Sequence, residues 1–194
     1  MNRTARVQRT TEEVTVDVQL GLDGSGNAKI QTGVGFLDHM LCLVAQRAGI
    51  DVDITAQGDL DVGEHHTVED VAIALGEALD TALGDGTGIR RYGSSLLPMD
   101  ESLALVAIDL SGRAHTAFPT PLDGRIGNFD AQCIGEFFFA FARAGRLTLH
   151  LRLLAGENRH HQAEALFKGL GMALGQAIER VSETGVPSTK GVLR

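Results

Sequence analysis

A five-residue motif that occurs twice constrains the fold of this chain more than any other feature. His-His-x-x-Glu begins at His65 and begins again at His160, ninety-five residues later. The residues that follow the two copies also correspond, since Leu75-Gly76 matches Leu170-Gly171. The repeat predicts that the chain contains two copies of one half-domain.

Each copy of the motif predicts a set of metal ligands at the start of a helix. A His and a Glu that are four residues apart lie on the same helix face. Adjacent histidines point about 100° apart, so one can face a metal in its own half while its neighbour faces another metal. One copy alone is also typical of surface histidines, but two copies in register favour two metal sites. Imidazole and carboxylate ligands suit Mn, Fe or Zn.

The charge and the cysteine content exclude several classes of protein. A net charge of -8 over 194 residues argues against nucleic-acid binding, which needs a basic surface. The two cysteines, Cys42 and Cys133, cannot supply a disulfide framework or a thiolate zinc site. The sequence has no signal-peptide pattern and no run of about 18 apolar residues. We therefore expect a cytoplasmic protein with no membrane partner.

Hydrophobic periodicity predicts the same order of elements in each half: strands, helix, strand, helix. The first half is expected to contain a strand at 14–20, a strand at 28–31 that pairs back with it as a hairpin, a helix at 36–48, a strand at 50–54 and a helix at 68–83. The second half is expected to contain a strand at 102–110, a helix at 131–144, a strand at 147–153 and a helix at 161–183.

This order predicts an α+β fold made of two duplicated two-layer half-domains, each a sheet covered by helices on one face. The seam between the halves is expected near Gly84 to Arg91, where no long linker intervenes. We expect a single domain over 1–194, with internal repeats at about 1–86 and 87–184 and a C-terminal tail at 185–194.

The helix that precedes each motif offers one further ligand. His39 precedes His65 by 26 residues, and Glu136 precedes His160 by 24 residues. His39 could also be a core histidine, whereas Glu136 lies among phenylalanines, where an unpaired carboxylate would be costly. Three acids before the first His pair are interpreted as solvated loop residues: Asp59, Asp61 and Glu64.

Basic residues outside the repeat predict a pocket for a small phosphate. Arg113 ends a strongly apolar strand, and Arg91 lies in a glycine-flanked turn. Ser188 and Lys190 lie in the C-terminal tail. Together these side chains can bind a phosphate in an otherwise acidic protein. No Walker A loop or dinucleotide fingerprint is present, so we do not expect a nucleotide.

Several segments spread over nearly the whole chain carry a family resemblance. They are Gly33 to Leu41, Gly58 to Leu60, His65 to Val71, Gly88 to Gly93, Pro98 to Glu101, Asp109 to Arg113, Leu147 to His150, Ala155 to His161 and Pro187 to Leu193. In combination they resemble the imidazoleglycerol-phosphate dehydratases, the family that converts imidazoleglycerol phosphate to imidazole-acetol phosphate in histidine biosynthesis.

The resemblance implies a fold, a cofactor and an assembly. The fold is a duplicated one similar to domain 2 of ribosomal protein S5. The cofactor is a pair of Mn²⁺ ions in each active site. The assembly is a homo-oligomer of twenty-four subunits with its active sites at subunit interfaces, and the substrate is a small-molecule phosphate.

The resemblance also implies roles for individual residues. The metal ligands are expected to be His39, His65, His66, Glu69, Glu136, His160, His161 and Glu164. The residues expected to contact the substrate are Glu13, Arg91, Arg113, Ser188 and Lys190. The chain departs from the family at Cys42-Leu43, where Asp-Gln is usual, and at Gly63, where Asp is usual.

This dehydration must break a C–H bond that no neighbouring carbonyl acidifies. A metal on the imidazole nitrogen would stabilise the ring as imidazolate, and a carboxylate would then remove the proton. Glu13 and Glu164 are the candidates for proton transfer. Glu13 is favoured, because a carboxylate that is a tight metal ligand is a poorer base.

Two other functions fit part of the ligand set. A metal-binding homologue without dehydratase activity would keep these ligands, and the Cys42-Leu43 departure leaves this alternative open. Metal-assisted phosphoester hydrolysis also uses two neighbouring metals. The sequence contains no Asp-rich phosphatase motif that would support it.

Overall fold

The structure of the chain is a computed structural model that describes residues 3–120, 122–181 and 185–193. In chain order the elements are β1 (Thr4–Thr10), β2 (Val14–Gly21), β3 (Ala28–Gln31), α1 (Gly35–Ala48), β4 (Asp51–Gly58), α2 (His65–Leu83), β5 (Tyr92–Met99), β6 (Ser102–Asp109), β7 (His115–Ala117), β8 (Arg125–Ile126), β9 (Phe129–Asp130), α3 (Gln132–Ala144), β10 (Thr148–Ala155) and α4 (Arg159–Ile178).

Two four-stranded sheets have the same topology. Their strand orders are β1-β2-β4-β3 and β5-β6-β10-β7. In each sheet the first three strands are antiparallel, and the fourth strand joins parallel to its neighbour. Helices α2 and α4 pack on β2 and β6 respectively. The predicted α+β fold of two similar sheet-and-helix halves is confirmed.

The predicted hairpin between the strands at 14–20 and 28–31 is wrong. β3 pairs in parallel with β4, because β4 already occupies the edge of β2 on that side. The connecting loop is held against the start of β4, since the Asp51 carboxylate accepts hydrogen bonds from the backbone N–H groups of Ser25 and Asn27 at 2.9 Å. Alternation of side chains shows that a segment is a strand but does not identify its partner.

The two halves pack through their helices, α1 against α4 and α2 against α3. At both crossings the glycine of the repeated Leu-Gly pair allows close approach of the backbones. A Cβ on Gly171 would lie 2.7 Å from the Val44 carbonyl oxygen of α1, and a Cβ on Gly76 would lie 2.7 Å from the Phe141 carbonyl oxygen of α3. The repeated glycines therefore mark the contact between the halves.

The core is continuous across this contact. Four phenylalanines at its centre are almost fully buried, and their rings lie within 6 Å of one another in successive pairs: Phe137, Phe138, Phe141 and Phe167. Within the described ranges, none of the helices has the length and apolar character needed to cross a membrane.

The helices that carry the His pairs begin earlier than predicted. α2 begins at His65 rather than at 68, and α4 begins at Arg159 rather than at 161. The Asn158 side chain caps α4 by accepting hydrogen bonds from the N–H groups of His160 and His161. α4 ends at Ile178, because the chain after it pairs with the segment before β5, where Arg90 N–H donates to the Glu179 carbonyl. The predicted end at 183 lies outside the described residues.

Two long strands were not predicted. β1 is an edge strand in which no residue is fully buried, so its hydrophobic pattern is weak. The buried face of β5 carries Leu97 and two small residues, Gly93 and Ser95. These residues are small because α4 lies directly on them: the Ser95 hydroxyl donates to the Gly169 carbonyl at 3.0 Å.

Candidate metal centre

The first candidate metal site lies where α1 of the first half meets α4 of the second. The His160 Nε2 and Glu164 Oε2 atoms are 3.1 Å apart, one helical turn along α4. His39 of α1 brings its Nε2 to 3.8 Å from the same oxygen. These three side chains each offer a ligand atom, and the ligand atoms all lie within 4.8 Å of one another. Because the site draws on both halves, it depends on the packing of α1 against α4.

Glu164 is ionised in this site. Burial acts to raise its pKa, but a hydrogen bond from Lys168 and the contact with His160 outweigh burial, so the pKa lies below its usual value. The Lys168 Nζ atom lies 2.5 Å from Glu164 Oε1, while Oε2 faces the histidines. Only 8% of the residue is exposed. A buried carboxylate that is already charged suits metal binding and is a poor proton acceptor.

Apolar side chains form one wall of this site. The Phe36 ring packs edge-on against His160 with 5.5 Å between ring centroids, and Phe129 of β9 packs on Phe36 at 4.9 Å. Leu43 lies one turn after His39, partly buried against the core. The helix face that carries His39 therefore continues into an apolar surface.

The second copy of the ligand set is less complete within one chain. His65 Nε2 lies 4.0 Å from Glu69 Oε2, while Glu69 Oε1 accepts a hydrogen bond from Arg143 of α3 at 3.2 Å. Glu136 lies on α3, and it joins no metal-ligand cluster in the part of the chain that the structure describes. It is only partly buried, because α3 directs Phe137 into the core and leaves position 136 near the surface.

His66 belongs to a further cluster with two carboxylates. Its Nδ1 lies 3.0 Å from Asp59 Oδ2 and 3.7 Å from Glu13 Oε2. The hydrogen bond with Asp59 is the main reason that the pKa of His66 is raised. The interpretation of Asp59 as a solvated loop acid is wrong, because the turn after β4 places it against the start of α2. Glu13 is 56% exposed at its side chain, so it is accessible to a substrate.

His161 has an equivalent carboxylate partner that sequence reasoning missed. Its Nδ1 lies 2.7 Å from Glu101 Oε2. Glu101 Oε1 accepts hydrogen bonds from the N–H groups of Asn158 at 2.9 Å and Glu157 at 3.3 Å. The hydrogen bond with His161, followed by the one from Asn158, lowers the pKa of Glu101 to about 2. The only sequence signal was its place in the Pro98 to Glu101 segment.

Two of the predicted phosphate-binding residues, Arg91 and Arg113, lie around Asp109 at the end of β6, and Arg91 also contacts the C-terminal tail. Arg91 Nε lies 2.7 Å from Asp109 Oδ1, and its Nη1 donates to the Pro187 carbonyl at 2.8 Å. Arg113 is 4.0 Å from Asp109 Oδ2, and its side chain is 67% exposed. The tail places Ser188 and Lys190 directly after Pro187. Their link is a hydrogen bond from the Lys190 N–H to the Ser188 hydroxyl at 3.2 Å.

The two groups of residues lie at opposite ends of α4. The Arg91 N–H donates to the carbonyl of Ala177 in the last turn, whereas His160 lies in the first turn. Seventeen residues of helix separate these positions, a distance of about 25 Å. A small phosphate ester cannot span that distance within one chain.

Comparisons with known proteins identify relatives over nearly the whole chain. The family model described as "Imidazoleglycerol-phosphate dehydratase" matches residues 32–174. A protein of that description from Desulforudis audaxviator is 55% identical over 192 residues, which are 98% of this chain and 98% of that protein. Another from Desulforamulus reducens is 51% identical over 195 residues and covers 100% of both chains.

Solved structures are similar over nearly the same length. The crystal structure of imidazoleglycerol-phosphate dehydratase from Staphylococcus aureus is 39% identical with a TM-score of 0.83, covering 91% of this chain and 99% of that chain. The structure of IGPD from Pyrococcus furiosus in complex with (S)-C348 is 41% identical with a TM-score of 0.83, covering 96% of this chain and 100% of that chain.

Proposed function

Because this chain belongs to the imidazoleglycerol-phosphate dehydratase family, we propose that its two His-His-x-x-Glu motifs bind two Mn²⁺ ions that hold the imidazole ring of the substrate. The chain is a dehydratase of histidine biosynthesis that acts on imidazoleglycerol phosphate. The observation that best supports the metal proposal is the convergence of His39, His160 and Glu164 from the two halves.

The residues present fit Mn²⁺, since they offer imidazole nitrogens and carboxylate oxygens without thiolates. The first ion would be held by His39, His160 and Glu164. The equivalent residues of the repeat would hold the second ion: Glu136, His65 and Glu69. When bound, the two ions supply the Lewis acidity that stabilises the substrate ring as imidazolate.

The remaining histidines, His66 and His161, point away from these sets because adjacent residues on a helix are rotated by about 100°. We propose that they complete metal sites shared with neighbouring subunits. The separation of about 25 Å along α4 supports a shared site, because the phosphate residues of the same chain lie too far from His160. A homo-oligomer of twenty-four subunits, with active sites at its interfaces, is the assembly we propose.

Different side chains would bind the phosphate of the substrate and remove its proton. Arg113, Ser188 and Lys190 would bind the phosphate, and Arg91, held by Asp109, would complete this basic surface. Glu13 would act as the general base that takes the proton from carbon, because its exposed carboxylate is close to His66 without a hydrogen bond to it.

The Glu164 carboxylate would assist in proton transfer only weakly, since Lys168 and the histidines already stabilise its charge. The substrate hydroxyl would take up one proton and leave as water as its C–O bond breaks, and the enol that remains would tautomerise to the ketone, imidazole-acetol phosphate. No phosphate is released in this reaction.

We propose a cytoplasmic location for this reaction. The support is chemical: Cys42 and Cys133 are both free thiols, which suits a reducing compartment.

The test is to incubate the Mn²⁺-loaded protein with imidazoleglycerol phosphate and to measure the ketone product and inorganic phosphate in the same samples. Ketone without phosphate is the expected result. Phosphate release would instead indicate metal-assisted hydrolysis. Metal binding without either product would indicate a metal-binding homologue that has lost the reaction.

A further inference from the structure

Two carboxylates outside the repeated motif hold the second histidine of each pair in the same way. Asp59 contacts His66 at 3.0 Å, and Glu101 contacts His161 at 2.7 Å. In both cases the contact is made to Nδ1. His161 Nε2 lies 3.6 Å from Asp100 Oδ2, beyond hydrogen-bond distance. The first histidines of the pairs differ, since His65 and His160 face a motif glutamate with Nε2.

The two halves reach this arrangement with residues from different loops. Glu101 lies in the β5–β6 turn, immediately before β6. The residue at the equivalent place before β2 is Glu13, which lies 3.7 Å from His66 Nδ1, beyond hydrogen-bond distance. Asp59 follows β4, and Gly156 follows the equivalent strand β10. The same contact has therefore been built twice, from residues that do not correspond in the repeat.

We propose that Asp59 and Glu101 are positioning residues that keep the proton of His66 and His161 on Nδ1 and so present Nε2 to the metal. A histidine that binds a metal through one nitrogen generally donates its other N–H to a carboxylate or carbonyl, which fixes the tautomer and the ring orientation. This inference rests on the proposed role of His66 and His161 as metal ligands.

The proposed positioning role also explains why Glu101 and Glu13, the glutamates just before β6 and β2, have different surroundings. Glu101 is occupied by His161 and by the backbone N–H groups of Asn158 and Glu157. In the first half Asp59 makes the equivalent contact with His66, so Glu13 does not hydrogen-bond to the histidine. Glu13 is thereby available for proton transfer, the role we propose for it.

Glu101→Gln is a sharp test because the geometry dictates how the amide must sit. Two backbone N–H groups donate to Oε1, so the amide oxygen will take that place and the NH₂ group will face His161. His161 Nδ1 must then accept, which moves the ring proton to Nε2 and removes the lone pair that a metal needs. Asp59→Ala removes the acceptor from His66. The matched controls are Glu157→Gln and Asp61→Ala, which alter exposed carboxylates nearby in sequence.

The measurement is a Mn²⁺ titration of the assembled protein, in which electron paramagnetic resonance reports the free ion. For each variant we expect one class of Mn²⁺ to bind about 10- to 100-fold more weakly, with both controls matching the wild type. The melting temperature of the metal-free protein, measured alongside, shows that each variant is folded at the temperature of the titration. Wild-type affinity in Glu101→Gln and Asp59→Ala would overturn the inference. If the wild type itself binds no Mn²⁺, the proposed function fails instead.

A double substitution separates positioning from direct ligation. If Asp59 acts through His66, then Asp59→Ala will not weaken Mn²⁺ binding further in a His66→Ala background. An additional loss of affinity in the double variant would mean that Asp59 contributes separately, and the positioning role would be wrong.

Discussion

Replacement of Gly171 by alanine tests whether the halves depend on the close crossing of α1 and α4. A Cβ at this position would lie 2.7 Å from the Val44 carbonyl oxygen and 3.1 Å from the Val44 Cα. Ordinary contacts begin at 3.4 Å, so the helices must separate by about 0.7 Å. The third neighbour, the Arg47 Cβ at 2.7 Å, is bonded directly to the backbone, so none of the three atoms can rotate away.

Two opposing effects set how far Gly171→Ala lowers the free energy of unfolding. Overpacking costs about 1–3 kcal/mol, and contact with backbone places this site at the upper end. Alanine in a helix interior recovers about 1 kcal/mol relative to glycine. The net loss is about 2 kcal/mol, which lowers the melting temperature of a chain of this size by about 4–8 °C.

The assay is thermal unfolding of the metal-free protein at fixed concentration, followed by circular dichroism. Gly76→Ala, at the equivalent crossing of α2 and α3, is expected to behave in the same way. Gly35→Ala is the control, because a Cβ there meets nothing within 4 Å. A melting temperature of Gly171→Ala equal to or above that of the wild type would refute the close crossing as we describe it.

Three further predictions concern the site. Lys190→Ala should raise KM about 10- to 100-fold, as expected for loss of a hydrogen bond to a charged group. The Mn²⁺ content, measured by elemental analysis, should stay intact. A loss of Mn²⁺ as large as the rise in KM would refute the assignment of Lys190 to the phosphate. Asn158→Ala should lower the free energy of unfolding, measured with urea, by about 1 kcal/mol, because it removes the cap of α4. An unchanged free energy of unfolding would refute the role of Asn158 as the cap. In metal-free protein the depressed pKa of Glu101 contributes stability that is present above its usual value of 4.5 and is lost as pH falls towards about 2. Glu101→Gln should therefore flatten the pH dependence of unfolding in that window, and an unchanged profile would contradict the assignment.

The repeated motif predicted the duplication and placed both His pairs at helix starts, because its spacing reflects helix geometry directly. It did not reveal the partner of β3, since strand pairing depends on which edge is free and on the Asp51 contacts with the preceding loop. It also missed β5, whose buried face carries Gly93 and Ser95 because α4 lies against it.

The candidate site was predictable to a similar degree and for similar reasons. The ligand types and their helical spacing are visible in the sequence, whereas Asp59 and Glu101 reach the histidines from loops far from them in sequence. The meeting of His39 with His160 depends on how the halves pack, which no local pattern encodes.

The pairing of α1 with α4 and of α2 with α3 has an evolutionary consequence. Because the candidate metal-ligand cluster of His39, His160 and Glu164 draws on both halves, a single half-domain could have formed it only by associating with a second copy of itself. In such a symmetric ancestor the two candidate sites would have been identical, and any substitution would have altered both. Fusion into one chain removed that constraint, so position 39 could keep histidine while position 136 carries glutamate. On the proposed ligand sets, the duplication would have allowed two chemically different metal sites to evolve from one.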